Sequence, residues 1–241
     1  MSGWLTGKVI ENRQWTESLF SLRAEGPRLA FEAGQFVRIA LDIDGERVAR
    51  PFSFVNAPAD PTLEFYGIVL PEGPLSPRLA RLRAGDTLFV APNPAGFLVL
   101  SELPDAESLW LISTGTGIAP FLSILRTEAP WQRYRNVVLV HAVRHARELV
   151  YQEDIRRMKS LKYITFVSRE AAVGSLAGRI PAALADGRLE AAAGLPLGQA
   201  SQVMLCGNPE MLKDASAALV ARGLRKHRRR SPGQISVESF W

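Results

Sequence analysis

Over the first hundred residues, apolar and polar positions alternate in short runs. Ser18-Leu19-Phe20-Ser21-Leu22-Arg23 and Gln35-Phe36-Val37-Arg38-Ile39-Ala40-Leu41 keep step with strands that bury one face. Asp44-Gly45, set between Asp42-Ile43 and Glu46-Arg47-Val48, reads as a two-residue hairpin turn, since both positions tolerate positive φ. Further strands are expected at 48–56, 63–70 and 87–91. One helical stretch, 76–82, ends at Ala84-Gly85-Asp86. Several antiparallel strands and a lone helix predict a small β-barrel with a capping helix over residues 1–100.

From Ser108 the rhythm changes. Leu109-Trp110-Leu111-Ile112, Val137-Val138-Leu139-Val140, Ile164-Thr165-Phe166-Val167 and Val203-Met204-Leu205-Cys206 are apolar runs of the kind buried on both faces of a sheet. Helical segments are expected at 118–126, 147–158, 180–185 and 209–222. Strands alternating with helices imply an α/β parallel sheet with right-handed crossovers over residues 108–241. The polar stretch Ser101-Glu102-Leu103-Pro104-Asp105-Ala106-Glu107 marks the boundary of this two-domain reading. There are no internal repeats and no low-complexity tract.

Composition narrows the class. The 241 residues are 47% hydrophobic and 22% charged, the balance of a globular chain able to bury a core. Cys206 is the only cysteine, which excludes an internal disulfide, an iron–sulfur cluster and a cysteine-rich zinc site. No metal site is expected. The start, Met1-Ser2-Gly3-Trp4-Leu5-Thr6-Gly7-Lys8-Val9, lacks the pattern of a secretory signal, and no apolar run approaches a membrane span; a cytoplasmic protein without a membrane partner is expected. The net charge is +5, and its densest patch is Arg225-Lys226-His227-Arg228-Arg229-Arg230. That run reads as a solvated surface or as a dock for an acidic protein or anionic cofactor. No motif of a nucleic-acid reader accompanies it, so no nucleic-acid partner is expected.

Four motifs carry chemistry. Arg50-Pro51-Phe52-Ser53 lies on a barrel strand, with Arg50 and Phe52 on one face and Ser53 on the other; a cation, an aromatic ring and a hydroxyl can hold a planar anionic ligand. Gly73-Pro74-Leu75-Ser76 precedes the lone helix, with Ser76 as its expected N-cap and free N–H groups behind it for a phosphate. Ser113-Thr114-Gly115-Thr116-Gly117-Ile118-Ala119-Pro120 follows a buried strand and opens a helix, a Gly-x-Gly-x-x-Pro variant of the dinucleotide turn. Cys206-Gly207-Asn208-Pro209-Glu210-Met211 ends another strand, at the sheet edge where such folds bind ligands.

In that order, and with the tail Val237-Glu238-Ser239-Phe240-Trp241, Val167-Ser168-Arg169-Glu170 and Gly178-Arg179-Ile180-Pro181, these motifs resemble the bacterial ferredoxin/flavodoxin–NADP(+) reductases over essentially the whole chain. The resemblance implies a flavoprotein oxidoreductase with tightly bound FAD in the barrel domain and NADP(H) in the second domain. It would exchange electrons with ferredoxin or flavodoxin. Arg50 would pair with the FAD pyrophosphate, Phe52 with Pro51 beside it would stack on the flavin, and Ser53 would bond near flavin N5. Tyr66 would line the flavin or its ribityl chain, and Pro74, Leu75 and Ser76 would meet the phosphates. Thr116 would sit between flavin and nicotinamide nucleotide, Phe240 would cover the opposite flavin face, and Trp241 would pack on the adenine side. Thr114, Gly115 and Gly117 would cradle the NADPH pyrophosphate. Cys206, followed by Gly207 and Asn208, would contact the nicotinamide, and Glu238 would serve as a proton relay or nicotinamide contact. Members of the family commonly carry Tyr at the position of Phe52. Ring stacking survives that change, and one hydrogen bond of about 1 kcal/mol does not.

The choice of nucleotide has its own argument. NAD-specific sites place an acid after the second strand to bind the ribose hydroxyls. Here that strand runs into His141-Ala142-Val143-Arg144, and Ser168, Arg169 and Arg179 follow the third. Guanidinium forks match a 2′-phosphate, so NADPH is expected. The rival readings are a reductase that takes flavin as a diffusible substrate and a basic binding module with a decayed site. An oxygenase-reductase component would need cluster cysteines that are absent. Nothing in the sequence requires more than a monomer.

Overall fold

The alternation of the first hundred residues resolves into six strands: β1 (Leu5–Gln14), β2 (Leu19–Glu25), β3 (Phe36–Ile43), β4 (Glu46–Ser53), β5 (Leu63–Ile68) and β6 (Thr87–Val90). In this computed structural model, which describes residues 3–158 and 160–239, they form one antiparallel sheet in the order β4-β3-β6-β1-β2-β5. An isolated bridge between Phe54 and Phe65 joins its two outer strands, so the sheet curls into a barrel. Strand β1 is the spine, and a register shift between Val9 and Glu11 bends it where it pairs with β2. Inward-facing Val9, Phe20, Leu22, Val37, Ile39, Phe54, Phe65, Leu88 and Val90 make the core. The Asp44-Gly45 hairpin has positive φ at both residues, 51° and 85°.

Three local details depart from the sequence expectation. Strand β2 is buried on both faces, because the Trp15 indole covers Ser21 and donates to its Oγ at 2.6 Å. The helix expected over 76–82 is a single turn, α1 (Ser76–Leu79). Asn12 of β1 donates its amide to the carbonyls of Leu79 and Leu82, both at 2.9 Å, and so satisfies acceptors without a longer helix. Ser76 is not the N-cap. It is the first helical residue, Leu75 occupies the cap, and the Ser76 Oγ is engaged by the Leu70 N–H at 2.8 Å.

The Gly-rich segment forms a 3₁₀ turn, Gly115–Ile118, that leads into α2 (Ala119–Leu125). The chain divides into two units, one comprising the residues through Val99 together with Ala119–Thr127, the other Leu100–Ile118 and the residues from Glu128 onward. Helix α2 thus packs with the barrel. Ser123 Oγ donates to Asn56 O at 2.7 Å, and Arg126 donates to Val55 O at 3.0 Å and to Glu64 Oε2 at 2.7 Å.

The second unit is a parallel sheet of β7 (Ser108–Thr114), β8 (Asn136–Val143), β9 (Leu161–Val167), β10 (Leu176–Ala177), β11 (Ser201–Gly207) and β12 (Ile235–Ser239), ordered β10-β9-β8-β7-β11-β12. Its four central strands are the apolar runs of the sequence; the two edge strands were not expected. After α3 (Ala129–Arg133), the helix expected over 147–158 is broken. A 3₁₀ turn, Ala146–Glu148, and the short α4 (Gln152–Arg156) flank Tyr151, whose φ of 60° no helix accommodates. Val150 and Tyr151 are buried by that bend. Helices α5 (Ile180–Ala185), α6 (Arg188–Ala193) and α7 (Pro209–Ala221) cover one face of the sheet over Trp110, Ile112, Val138, Val140, Val203 and Leu205.

The polar stretch at 101–107 is tied down rather than loose: Arg133 donates to the carbonyls of Leu100 and Leu103, and the Arg229 guanidinium forks onto Glu102. Among the described residues, no helix is long and apolar enough to cross a membrane, and no cluster of His, Cys, Asp and Glu could hold a metal ion.

The Arg126–Glu64 pair is 20% and 13% exposed at its two side chains, dry enough for its loss to strand a charge. Glu64→Ala is expected to destabilise the protein by about 3 kcal/mol in urea unfolding. Glu64→Gln, which keeps an acceptor for Arg126, should cost clearly less. Stability near the parent's in both variants would show that the ion pair is not what pins α2.

Candidate functional site

On the barrel, strand alternation sets Arg50 exposed, Phe52 half-buried and Ser53 buried. Ser53 Oγ has no hydrogen-bond partner among the described residues, which is costly for a buried hydroxyl unless a ligand supplies one. The Phe52 ring stands edge-on to Phe65, centroids 6.4 Å apart at 77°. It lies over Gly67, where a Cβ would come within 2.9 Å of it. Tyr66 is buried on the same strand. At the foot of α1, the N–H groups of Leu75 and Ser76 meet no acceptor among the described residues, and Pro74 O accepts from Arg78 at 2.8 Å.

In the second unit, the turn after β7 and the end of β11 approach as closely as backbones can. A Cβ on Gly117 would lie 2.5 Å from Cys206 O. Gly207 has φ of 133°, and a Cβ there would collide with Thr114 Oγ1, which itself accepts the Asn208 N–H at 2.9 Å. Gly115, at φ 52°, faces open space, and Thr116 is buried beside it. His141, wholly buried on β8, donates Nε2–H to Gly115 O at 3.1 Å; burial holds its pKa down at about 4, so the ring is neutral. Asn208 caps α7, accepting from the N–H groups of Glu210 and Met211 at 3.0 and 3.2 Å.

Cys206 and Glu238 are register neighbours across β11 and β12. Burial pushes the Cys206 thiol well up, reinforced by the Glu238 charge, so it remains a neutral thiol. Burial also raises Glu238 to about 7, and its Oε1 has no partner among the described residues. Phe240 and Trp241 lie outside the described residues.

At the far end of β8 and β9, Ser168 N and Oγ both donate to Val143 O, and Arg169 N donates to Arg144 O at 2.9 Å, so these two turns are tied together. Arg179 caps α5 in the following loop. An acid does stand near Arg144: Glu148 Oε1 lies 3.7 Å from its Nε.

Residues 111–217 match the family model of the oxidoreductase NAD-binding domain. Over its whole length the chain is 50% identical to the flavodoxin/ferredoxin–NADP reductase of Shigella flexneri and 49% identical to that of Escherichia coli (strain K12), with 100% of both chains covered in each case. The chain belongs to the flavodoxin/ferredoxin–NADP reductase family. Among solved structures, a ferredoxin NADP+ reductase from Neisseria gonorrhoeae with bound FAD and NADP superposes with a TM-score of 0.96 at 33% identity, covering 100% of each chain.

Three features of this reductase were not read from its sequence. Glu148 stands three residues after His145, a capping-box spacing that would have flagged it. Glu170 and His141 bond to groups 24 and 26 residues away, for which no local pattern exists.

The raised Glu238 carries a pH signature. Unfolded, the carboxyl titrates near 4.5; folded, near 7, so the folded state binds the extra proton between these values and loses stability as pH rises through them. Glu238→Gln removes that titration. Its unfolding free energy relative to the parent should climb by about 3 kcal/mol from pH 4.5 to 7 and stay level above. A difference that does not change with pH would mean an ordinary carboxylate.

Proposed function

We propose that the chain is an FAD-dependent oxidoreductase that carries electrons between NADPH and ferredoxin or flavodoxin. The observation that carries this reading is the whole-length identity of 50% with a reductase of that description. The residues fit the two nucleotides. A buried hydroxyl without a partner, an aromatic shelf and two free amides meet the needs of FAD on the barrel. A glycine turn open to solvent at Gly115 and beside the N-terminus of α7 meets those of NADPH.

Bound FAD supplies hydride acceptance and one-electron release. The protein's part is position and electrostatics. Arg50, Leu75 and Ser76 would hold the FAD phosphates, Phe52, with Pro51 before it, would flank the ring, Tyr66 would line its side, and the partnerless Ser53 Oγ would donate to the ring edge. Thr114, Gly115 and Gly117 would present the turn to the NADPH pyrophosphate, and Thr116 would sit between the flavin and the nicotinamide nucleotide. The neutral Cys206 thiol, with Gly207 and Asn208, keeps an uncharged surface for the nicotinamide. Glu238, poised near 7, holds or yields a proton at Oε1. Val143, Arg144, Ser168, Arg169 and Arg179 would form the 2′-phosphate end, and the stacking roles expected of Phe240 and Trp241 fall on residues outside those described. On this reading the enzyme works in the cytoplasm as a monomer, and the free, buried thiol of Cys206 is compatible with a reducing compartment.

The purified protein should be yellow after gel filtration, and its flavin bands should bleach anaerobically with NADPH and far less readily with NADH. A colourless protein that cannot be reconstituted with FAD overturns the reading; flavin lost on dilution favours a reductase of diffusible flavin. A stop at Phe240 should weaken FAD retention by a few kcal/mol, about 1–3 kcal/mol for each stacked ring. Unchanged retention would remove the stacking roles of both aromatics.

A further inference from the structure

Where β8 ends, three consecutive backbone N–H groups turn onto carboxylates. Glu148 Oε2 accepts from Arg144 N at 2.9 Å and from His145 N at 3.4 Å. Glu170 Oε1 accepts from Ala146 N at 2.6 Å, and its Oε2 lies 3.4 Å from His145 Nδ1. Successive N–H groups in such a turn form a concavity for anions, and here two side chains of the protein fill it. Glu148 belongs to the turn itself. Glu170 reaches in from the loop after β9, whose Arg169 N–H is returned to Arg144 O at 2.9 Å. The two arginine-bearing turns are therefore cross-tied in both directions: Ser168 and Arg169 donate toward the end of β8, and the Glu170 carboxylate accepts in return from the Ala146 N–H.

An acid beside arginines meant for a phosphate looks counterproductive. Two facts decide the sign. The Glu170 oxygens are already committed to an N–H and an imidazole, which hold its carboxyl below the usual carboxylate range, and its exposed charge is screened by solvent. The position of an arginine fork, by contrast, follows its backbone directly, and bidentate recognition tolerates little displacement.

We propose that Glu170 is a specificity-determining positioning residue for NADPH: it locks the Arg144–Ala146 turn against the Ser168–Glu170 turn, and so sets the arginines for the 2′-phosphate without acting on the rest of the nucleotide. This rests on the 2′-phosphate reading of Arg144 and Arg169.

The test uses the FAD-loaded enzyme, with calorimetric binding of 2′,5′-ADP and of 5′-AMP beside KM and kcat for NADPH and NADH. Arg144→Ala should weaken 2′,5′-ADP and spare 5′-AMP. Glu170→Ala should weaken 2′,5′-ADP and raise KM for NADPH by about tenfold, the worth of one charge-assisted hydrogen bond, with kcat and both NADH constants unchanged. Glu170→Gln keeps an acceptor for Ala146 N–H and should stay within about twofold of the parent. If Glu170→Ala binds 2′,5′-ADP as tightly as the parent or more tightly, repulsion outweighs positioning and the proposal fails. Equal weakening toward both probes would mean general structural damage, and the proposal fails as well. If Arg144→Ala does not discriminate between the probes, the 2′-phosphate reading itself falls, a result separate from a failure of Glu170 alone.

Discussion

The close approach of the β7 turn to the end of β11 is the constraint on which the nucleotide half depends. Two glycines make it feasible. Gly117 leaves no room for a methyl against the Cys206 carbonyl, and Gly207 takes a φ of 133° beneath Thr114. With those backbones in contact, Thr114 Oγ1 can receive the Asn208 N–H, and Asn208 can in turn start α7. The turn, the thiol of Cys206 and the positive end of a 13-residue helix are thereby fixed as one piece. A single methyl at either glycine would separate all three.

Electrostatics divides this piece into two regimes. Around Cys206 burial works against charge: it keeps the thiol protonated, holds His141 down at about 4 and so neutral, and raises Glu238 to about 7, where the carboxyl divides between its two forms near neutral pH. Burial is the largest cause in each case. Along the same carboxyl edge, where β8 and β9 end, the groups lie nearer to solvent. Arg144, Glu148, His145 and Glu170 pair in a solvent-facing network where geometry counts for more than net charge.

How much of this was legible follows from the range of each interaction. Alternation and apolar runs report burial along a single strand, so the barrel, the four central parallel strands and the Gly-rich turn could all be read. Strand β1 and edge strand β12 are rich in polar residues and take their conformation from neighbours far along the chain. Ser76 looked like a cap because Ser before a helix usually is one, but an amide from Leu70 reached its hydroxyl first. The chain also passes into the barrel unit at Ala119 and leaves it after Thr127, an exchange no composition shift announces, because Ser123 and Arg126 secure α2 through groups on the barrel. Among the candidate residues, Arg50 and Ser53 on the barrel and Gly115, Gly117 and Cys206 in the second unit could be named from local motifs, whereas Glu170 and His141 bond to groups some 25 residues away.

Phe52 illustrates how a departure from a family pattern can be absorbed. A tyrosine there would add a hydroxyl, yet nothing in the ring's placement depends on one. The ring is held by its edge-on contact with Phe65 and by the missing side chain at Gly67, where any Cβ would press on both Phe20 and Phe52. Packing of this sort fixes the plane of an aromatic shelf as firmly as a hydrogen bond would, because tilting the ring requires moving two core phenylalanines. The barrel therefore keeps the flat surface while losing a donor, and any change is confined to the polar contact beyond the ring edge.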